Sequence, residues 1–287
     1  MARRWIEKAG RLLRLLGLAL AATATAAQAA PAPLRVGMIP DAGATQLSVE
    51  QKAPLQKYLE QQLGRPVKLV IPTNYNATVE GLGNGSLDVA YLGGLTFVKA
   101  RARYGVTPLV QRDIDRQFHS LFITKGGSGI TSLAQLKGRT FCFGDINSTS
   151  GHLYPYLAMK RAGISAEKSL KSFRYSGSHP ATIQGVSAGV CDAGAVDETV
   201  WKSMAEDKKL PADLKVFHSV GPFADYVWVA RKDLDGRDQQ AVAAAFLRLQ
   251  AGRDDAVLDI LRGRRFIRAD GKTYVDVERT AKELGLM

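Results

Sequence analysis

The feature that most constrains this 287-residue chain is an alternation of short apolar runs and amphipathic segments that stops and then starts again. Leu34–Ile39 reads as a buried strand ended by Pro40 and Asp41, and the spacing of Leu55, Leu59 and Leu63 predicts a helix over 48–63 that stops at Gly64. Val67–Ile71 is the next strand, followed by a helix near 77–84, a strand at Leu87–Leu92 and a helix from about Thr96. After an extended segment at Ser120–Thr124 the series restarts with a strand at Thr140–Phe143, a helix over 149–162 and a strand over 171–175. A helix over 181–188 and a strand at Asp192–Val196 complete it. A second extended segment, Tyr226–Ala230, leads into a helix over 238–251. Strand–helix alternation of this kind predicts mostly parallel sheets covered by helices on both faces. Two α/β lobes joined by two crossovers are the simplest assembly, with a first lobe over 30–119, a second over 120–224 and a return to the first over 225–287. Ligands of such folds sit where loops and helix N-termini meet at the strand ends, here in a hinged cleft.

The first 29 residues stand outside this pattern. Arg3, Arg4, Lys8, Arg11 and Arg14 form a basic leader, an apolar stretch follows around Leu15–Ala22, and Ala27-Gln28-Ala29 fits a small-x-small cleavage site. The apolar stretch is shorter than a membrane-spanning helix needs. The expectation is a cleaved secretory signal and a soluble chain outside the cytoplasm. The formal charge of +12 raises nucleic acid as a partner, but the basic residues are scattered and no aromatic platform or groove-reading helix accompanies them. A positive field would instead speed the arrival of an anionic ligand.

Export makes a disulfide between Cys142 and Cys191 chemically accessible, and two buried thiols are the other possibility. Two cysteines and four scattered histidines carry no metal-ligand spacing, so no metal or cofactor is expected.

The motif with most chemistry is Gly144-Asp145-Ile146-Asn147-Ser148-Thr149-Ser150-Gly151, which follows a strand and opens a helix. A helix N-terminus carries unpaired N–H donors and about half a positive charge, which suits a tetrahedral anion. Ser148, Thr149 and Ser150 add hydroxyls, and Gly151 permits close approach. An ordinary helix cap needs only one of those hydroxyls, and that reading stays open. His179, just ahead of another predicted helix, reads either as a loop histidine without a role or as a donor to an oxyanion, for which a protonated imidazole would bind better. Asp225 precedes the return strand, as an ordinary turn aspartate or as an acceptor from a protonated ligand oxygen; Asp197 and Glu198 close a strand that is expected to face the same cleft. Tyr75, Tyr91 and Leu92 occupy matching places in the first lobe, as core or as cleft lining.

These residues resemble a known family, the periplasmic binding components of phosphate, phosphite and phosphonate ATP-driven importers. The resemblance runs through Asn74-Tyr75 with Gly85–Tyr91, then Ser128–Gly138, Asp145–Gly151, Gly177-Ser178-His179 and Gly189–Asp197. It implies a type II periplasmic binding fold with two Rossmann-like lobes and two crossover strands, a small phosphorus oxyanion as ligand, no catalysis and a membrane permease as partner. By that similarity Ser148, Thr149, Ser150 and His179 hold the oxyanion, assisted by Tyr75 and Asp225; Gly151, Tyr91 and Asp197 complete the expected ligand-binding set on the reading of the residues. Two positions depart from the pattern: Thr199 stands where binders of aminoalkyl phosphonates place a carboxylate, and Leu92 stands where an aromatic is frequent. Both favour a smaller oxyanion over an aminoethyl phosphonate.

Two further readings follow from the same residues. The fold also serves as a periplasmic sensor presenting a ligand to a histidine kinase, with an arsenite-responsive branch that uses a cysteine. A hydrolase would draw Ser148 or Ser150, His179 and Asp225 as nucleophile, base and orienter, without the Gly-x-Ser-x-Gly context. A monomer is the expected state.

Overall fold

The computed structural model describes residues 31–40 and 49–287. The basic leader, its expected cleavage site and Ser48 at the expected start of the first helix lie outside the described residues.

Along the chain come β1 (Leu34–Met38), α1 (Ala53–Leu63), β2 (Val67–Val70), α2 (Tyr75–Gly83), β3 (Val89–Leu92), α3 (Gly94–Tyr104) and β4 (Thr107–Arg112). Then follow β5 (Phe118–Lys125), β6 (Thr140–Phe143), α4 (Tyr154–Arg161), α5 (Ala166–Ser169), β7 (Ser172–Tyr175), α6 (His179–Ser187), β8 (Ala193–Asp197), α7 (Glu198–Glu206) and β9 (Leu214–Phe223). The chain closes with β10 (Val227–Ala230), α8 (Gly236–Leu247), α9 (Asp255–Leu261), β11 (Phe266–Arg268) and α10 (Val275–Glu283).

The strands form two sheets, one in the order β11-β4-β10-β3-β1-β2 and the other β7-β6-β8-β5-β9. Each has a parallel βαβ core, β2-β1-β3 in the first and β7-β6-β8 in the second. The strands next to each crossover run the other way: β10 is antiparallel to β3 and β4, and β5 to β8 and β9. The sheets are therefore mixed rather than mostly parallel, because a chain that crosses between sheets and returns needs no helical crossover to reverse direction.

Local chemistry accounts for the elements. α1 buries Leu55, Tyr58 and Leu59 on one face, and Gly64, at φ 61°, ends it by giving its N–H to the Glu60 carbonyl. β3 and β10 are buried at every residue, as central strands require. Trp228 on β10 is fully buried, stacked on Phe246 of α8 with centroids 4.5 Å apart. The second sheet has a separate cluster on each face, one around Phe122, Phe141 and Phe143 and one around Ile123, Ile183 and Val196.

In the second of these clusters Cys142, on β6, is bonded to Cys191, just ahead of β8. Their Cα atoms are 5.7 Å apart, within the ordinary span of a disulfide. Of the two states the sequence leaves open, the structure takes the bridge.

Among the described residues, β4, α5, α7, β9, α9, β11 and α10 lie beyond the sequence expectations. β4 carries buried Gln111 and Arg112, which cut its apolar run short. β9 is an edge strand with mostly half-exposed residues and Pro222. α7 buries only Thr199 and Val200. In addition, the helix expected over 149–162 begins with a wider π turn at Thr149–Leu153 before α4.

The two crossovers, 113–117 and 224–226, touch each other: the Asp225 N–H donates to the Asp115 carbonyl at 3.0 Å. Whatever one crossover does is thus felt by the other.

Candidate functional site

The site is built where loop 144–151 of the second sheet meets the N-terminus of α3 in the first. Ser148 has extended backbone and caps the π turn, its Oγ accepting the Gly151 N–H at 2.9 Å. The cap reading therefore holds for Ser148, whose own O–H remains able to donate outward. Thr149 is differently engaged: its Oγ1 accepts the Leu95 N–H at 3.0 Å, from the other sheet. Ser150 is buried and its Oγ has no hydrogen-bond partner among the described residues. A buried hydroxyl in that state costs free energy unless something occupies the space before it.

Gly151 is required by packing. A Cβ there would lie 2.9 Å from Ser148 Oγ, 3.0 Å from the Gly144 Cα and 3.1 Å from the His179 ring. Gly151→Ala is expected to destabilise the fold by about 1–3 kcal/mol and to weaken any ligand held at this turn. Urea unfolding of the variant checks the first effect, and unchanged stability would contradict the packing argument.

His179 opens α6 behind a Ser178 cap and is buried. Its Nδ1 accepts the backbone N–H of Asp197 at 3.3 Å, and its Nε2 lies 3.4 Å from the Tyr226 hydroxyl. A backbone N–H can only donate, so Nδ1 carries no proton and the hydrogen of the neutral ring is on Nε2. Nε2 is thus the donor that the neutral ring offers.

Asp197 ends β8 and caps α7, its Oδ1 accepting from Thr199 N, Thr199 Oγ1 and Val200 N. Burial opposes its charge, but His179, Arg262, Arg112 and the Tyr226 hydroxyl hold the carboxyl below its ordinary value. Asp225, in the second crossover, is 1 % exposed; its Oδ1 accepts the Gly94 N–H at 3.0 Å, and its Oδ2 has no hydrogen-bond partner among the described residues. Burial, with the nearby charge of Asp197, pushes this carboxyl up to about 7, against the pull of the Gly94 N–H and the Thr149 hydroxyl. Thr149 Oγ1 and Asp225 Oδ1 each lie 3.3 Å from the place a Cβ on Gly93 would take, so these groups converge.

Tyr75 is the first residue of α2, behind an Asn74 cap, and its N–H points at Asp145 Oδ2 at 3.5 Å. Tyr91 lies stacked on Tyr226 at 5.0 Å and against Trp228 at 5.0 Å. Its ring is buried in that aromatic stack, joined to the site through Tyr226.

The structure thus brings Ser148, Thr149, Ser150, Gly151, His179 and Asp225 together, with Asp197 serving as a cap and Tyr91 stacked on Tyr226. It adds Gly93, Gly94, Leu95 and Tyr226, which sequence reasoning missed. A Gly-Gly pair directly after a strand was the signal for the first two. The sheets also meet through Lys99, whose Nζ donates to Asn147 Oδ1 at 2.7 Å. A separate surface groove of about 520 Å³, between α7 and α9, is lined by charges such as Arg264 and Asp259 that pair with each other at 3.0 Å.

Comparison with known proteins matches residues 36–274 to the family described as "ABC transporter, phosphonate, periplasmic substrate-binding protein". The chain is 34% identical over 276 residues to a probable ABC transporter phosphite binding protein of Prochlorococcus marinus, PhnD1, covering 88% of this chain and 90% of that protein. It is 29% identical to the phosphate-import protein PhnD of Mycolicibacterium smegmatis, over 71% of this chain and 68% of that one. A solved structure of PhnD1 in complex with methylphosphonate superposes with a TM-score of 0.83 at 33% identity, covering 88% of this chain and 98% of that chain.

Proposed function

The chain belongs to the family of periplasmic substrate-binding proteins of phosphonate ABC transporters, and we propose that it captures a small phosphorus oxyanion, phosphite or a methylphosphonate-sized phosphonate, between its two lobes. The observation that carries this reading is that Ser148, Ser150, His179 and Asp225 are all buried around loop 144–151 and the N-terminus of α3, and that Ser150 Oγ and Asp225 Oδ2 have no hydrogen-bond partner among the described residues. Hydroxyls, an imidazole N–H and a helix N-terminus supply donors for anionic oxygens. Asp225 reads the remaining oxygen: a carboxyl titrating near neutrality shares one proton with the ligand, whereas a fully deprotonated anion sets like charges against each other.

The lobes are taken as 30–119 with 225–287, and 120–224. Closure around the ligand then presents both to a membrane permease. Residues 1–29 serve as a cleaved signal that places the protein in the periplasm, and the buried Cys142–Cys191 bridge suits that oxidising compartment. The same bridge leaves Cys142 no thiol for arsenite, which weighs against that sensor branch. Hydrolysis is disfavoured as well. A Ser–His–Asp relay needs Nδ1–H on a carboxylate, and His179 Nδ1 instead takes a backbone N–H. The protein is proposed to act as a monomer without a cofactor.

A thermal-shift panel on the chain lacking 1–29 tests the ligand class, using phosphite, methylphosphonate, aminoethylphosphonate, phosphate, sulfate and arsenite. The phosphorus oxyanions are expected to raise Tm, phosphite or methylphosphonate most, since ligand at a hundred times Kd adds about 2.7 kcal/mol. A rise with sulfate or arsenite alone overturns the reading.

A further inference from the structure

The geometry points to Arg112 as a positioning residue for the oxyanion site, a single buried guanidinium that ties helix ends of both lobes to the hinge and underlies Tyr226. The role rests on the oxyanion reading above. Arg112 is the last residue of β4, at the start of the first crossover, and is fully buried. Its Nε and one terminal nitrogen fork onto Asp115 of the same crossover, at 2.9 and 2.5 Å. The other terminal nitrogen donates to the carbonyls of Leu261 and Arg262 at 3.2 and 2.9 Å, capping the C-terminus of α9 in the first lobe. The same nitrogen lies 3.4 Å from Thr199 Oγ1, in the first turn of α7 in the second lobe.

From there the contacts run into the site. Thr199 Oγ1 donates to Asp197 Oδ1 at 2.7 Å, and the Asp197 N–H fixes the His179 ring. The guanidinium carbon lies over the Tyr226 ring, 5.1 Å from its centroid, and over the Phe118 ring, 5.6 Å from its centroid. Tyr226 in turn meets His179 Nε2. Arg112 therefore holds two site residues in place by two routes without touching the ligand itself. Because it bonds both lobes at the pivot, the arrangement it fixes is the one in which the lobes meet.

Arg112→Lys keeps the charge beside Asp115, but one ammonium cannot hold Asp115, the end of α9 and Thr199 together. Thr199→Val leaves the Arg112–Asp115 fork and the backbone N–H bonds to Asp197 intact and removes only the hydroxyl that stands between Arg112 and Asp197. Arg264→Gln, on the exposed end beyond α9, is the control. Calorimetric titration with methylphosphonate and with phosphite, well below Tm, is paired with urea unfolding of the unliganded proteins. Arg112→Lys is expected to raise Kd about tenfold or more and Thr199→Val about three- to tenfold, the control leaving it unchanged. A purely structural role would lower stability and leave Kd of the folded fraction at the wild-type value; that result in both variants overturns the proposal. Wild-type protein that binds neither ligand is a different failure: it removes the oxyanion reading and this role with it.

Discussion

Asp225→Asn is expected to weaken phosphite or methylphosphonate binding about 10- to 100-fold, the value of losing an acceptor that meets a charged ligand group. Asparagine keeps the shape and keeps an oxygen for the Gly94 N–H, but it puts an NH₂ where Oδ2 faces the site. That group cannot accept a ligand proton. The same substitution should change the pH dependence of the unliganded fold. Burial raises the Asp225 carboxyl from 3.8 to about 7. Between those values the native chain keeps a proton that the unfolded chain has released, so this group makes stability fall as pH rises through that window and stay lowered above it. Asparagine has no such proton to lose. The variant should therefore be more stable than wild type at pH 8, on the order of 1–4 kcal/mol, with the gain fading toward pH 4. Urea unfolding at several pH values reads this directly. Parallel stability profiles, or unaltered affinity and selectivity, would contradict the assigned role.

Reduction of the Cys142–Cys191 bridge is the second large effect. The bridge closes a loop between residues 49 apart in sequence, and loop-closure entropy assigns such a cross-link about 4 kcal/mol. It joins β6, which leads into loop 144–151, to the start of β8, which ends at Asp197. A Cys142→Ser/Cys191→Ser variant should lose about 2–5 kcal/mol of stability. It should keep its ligand affinity while folded, since both cysteines lie in the apolar cluster around Ile123, Ile183 and Val196. Equal urea midpoints with and without reductant would show that the bridge adds nothing. The effect matters for function because an exported protein cannot rely on cytoplasmic reducing conditions or their repair machinery.

How much of this was legible in the sequence follows from where each signal lies. β1 and β6 are readable because each is a short apolar run with an abrupt polar end, at Pro40-Asp41 and at Gly144-Asp145. Loop 144–151 is readable because its hydroxyls and glycines are consecutive. The Gly93-Gly94 end of α3, Arg112 and Tyr226 are not, since their roles arise only when distant segments approach. Gly94 meets Asp225 across 131 residues, and Arg112 meets Arg262 across 150. The disulfide is of the same kind: parallel pairing of β6 with β8 brings the cysteines into reach, and neither spacing nor composition announces it. The histidine tautomer needed the Asp197 N–H, which no local pattern encodes.

Under the proposed function, buried Ser148, Ser150, His179 and Asp225 bind one small phosphorus oxyanion. Isothermal titration of the chain lacking residues 1–29 with phosphite, methylphosphonate and sulfate tests it most directly. Saturable heat at one site per chain is expected for phosphite or methylphosphonate, with binding to sulfate weaker by at least about tenfold. No heat with either phosphorus ligand, or equal affinity for sulfate, would contradict it.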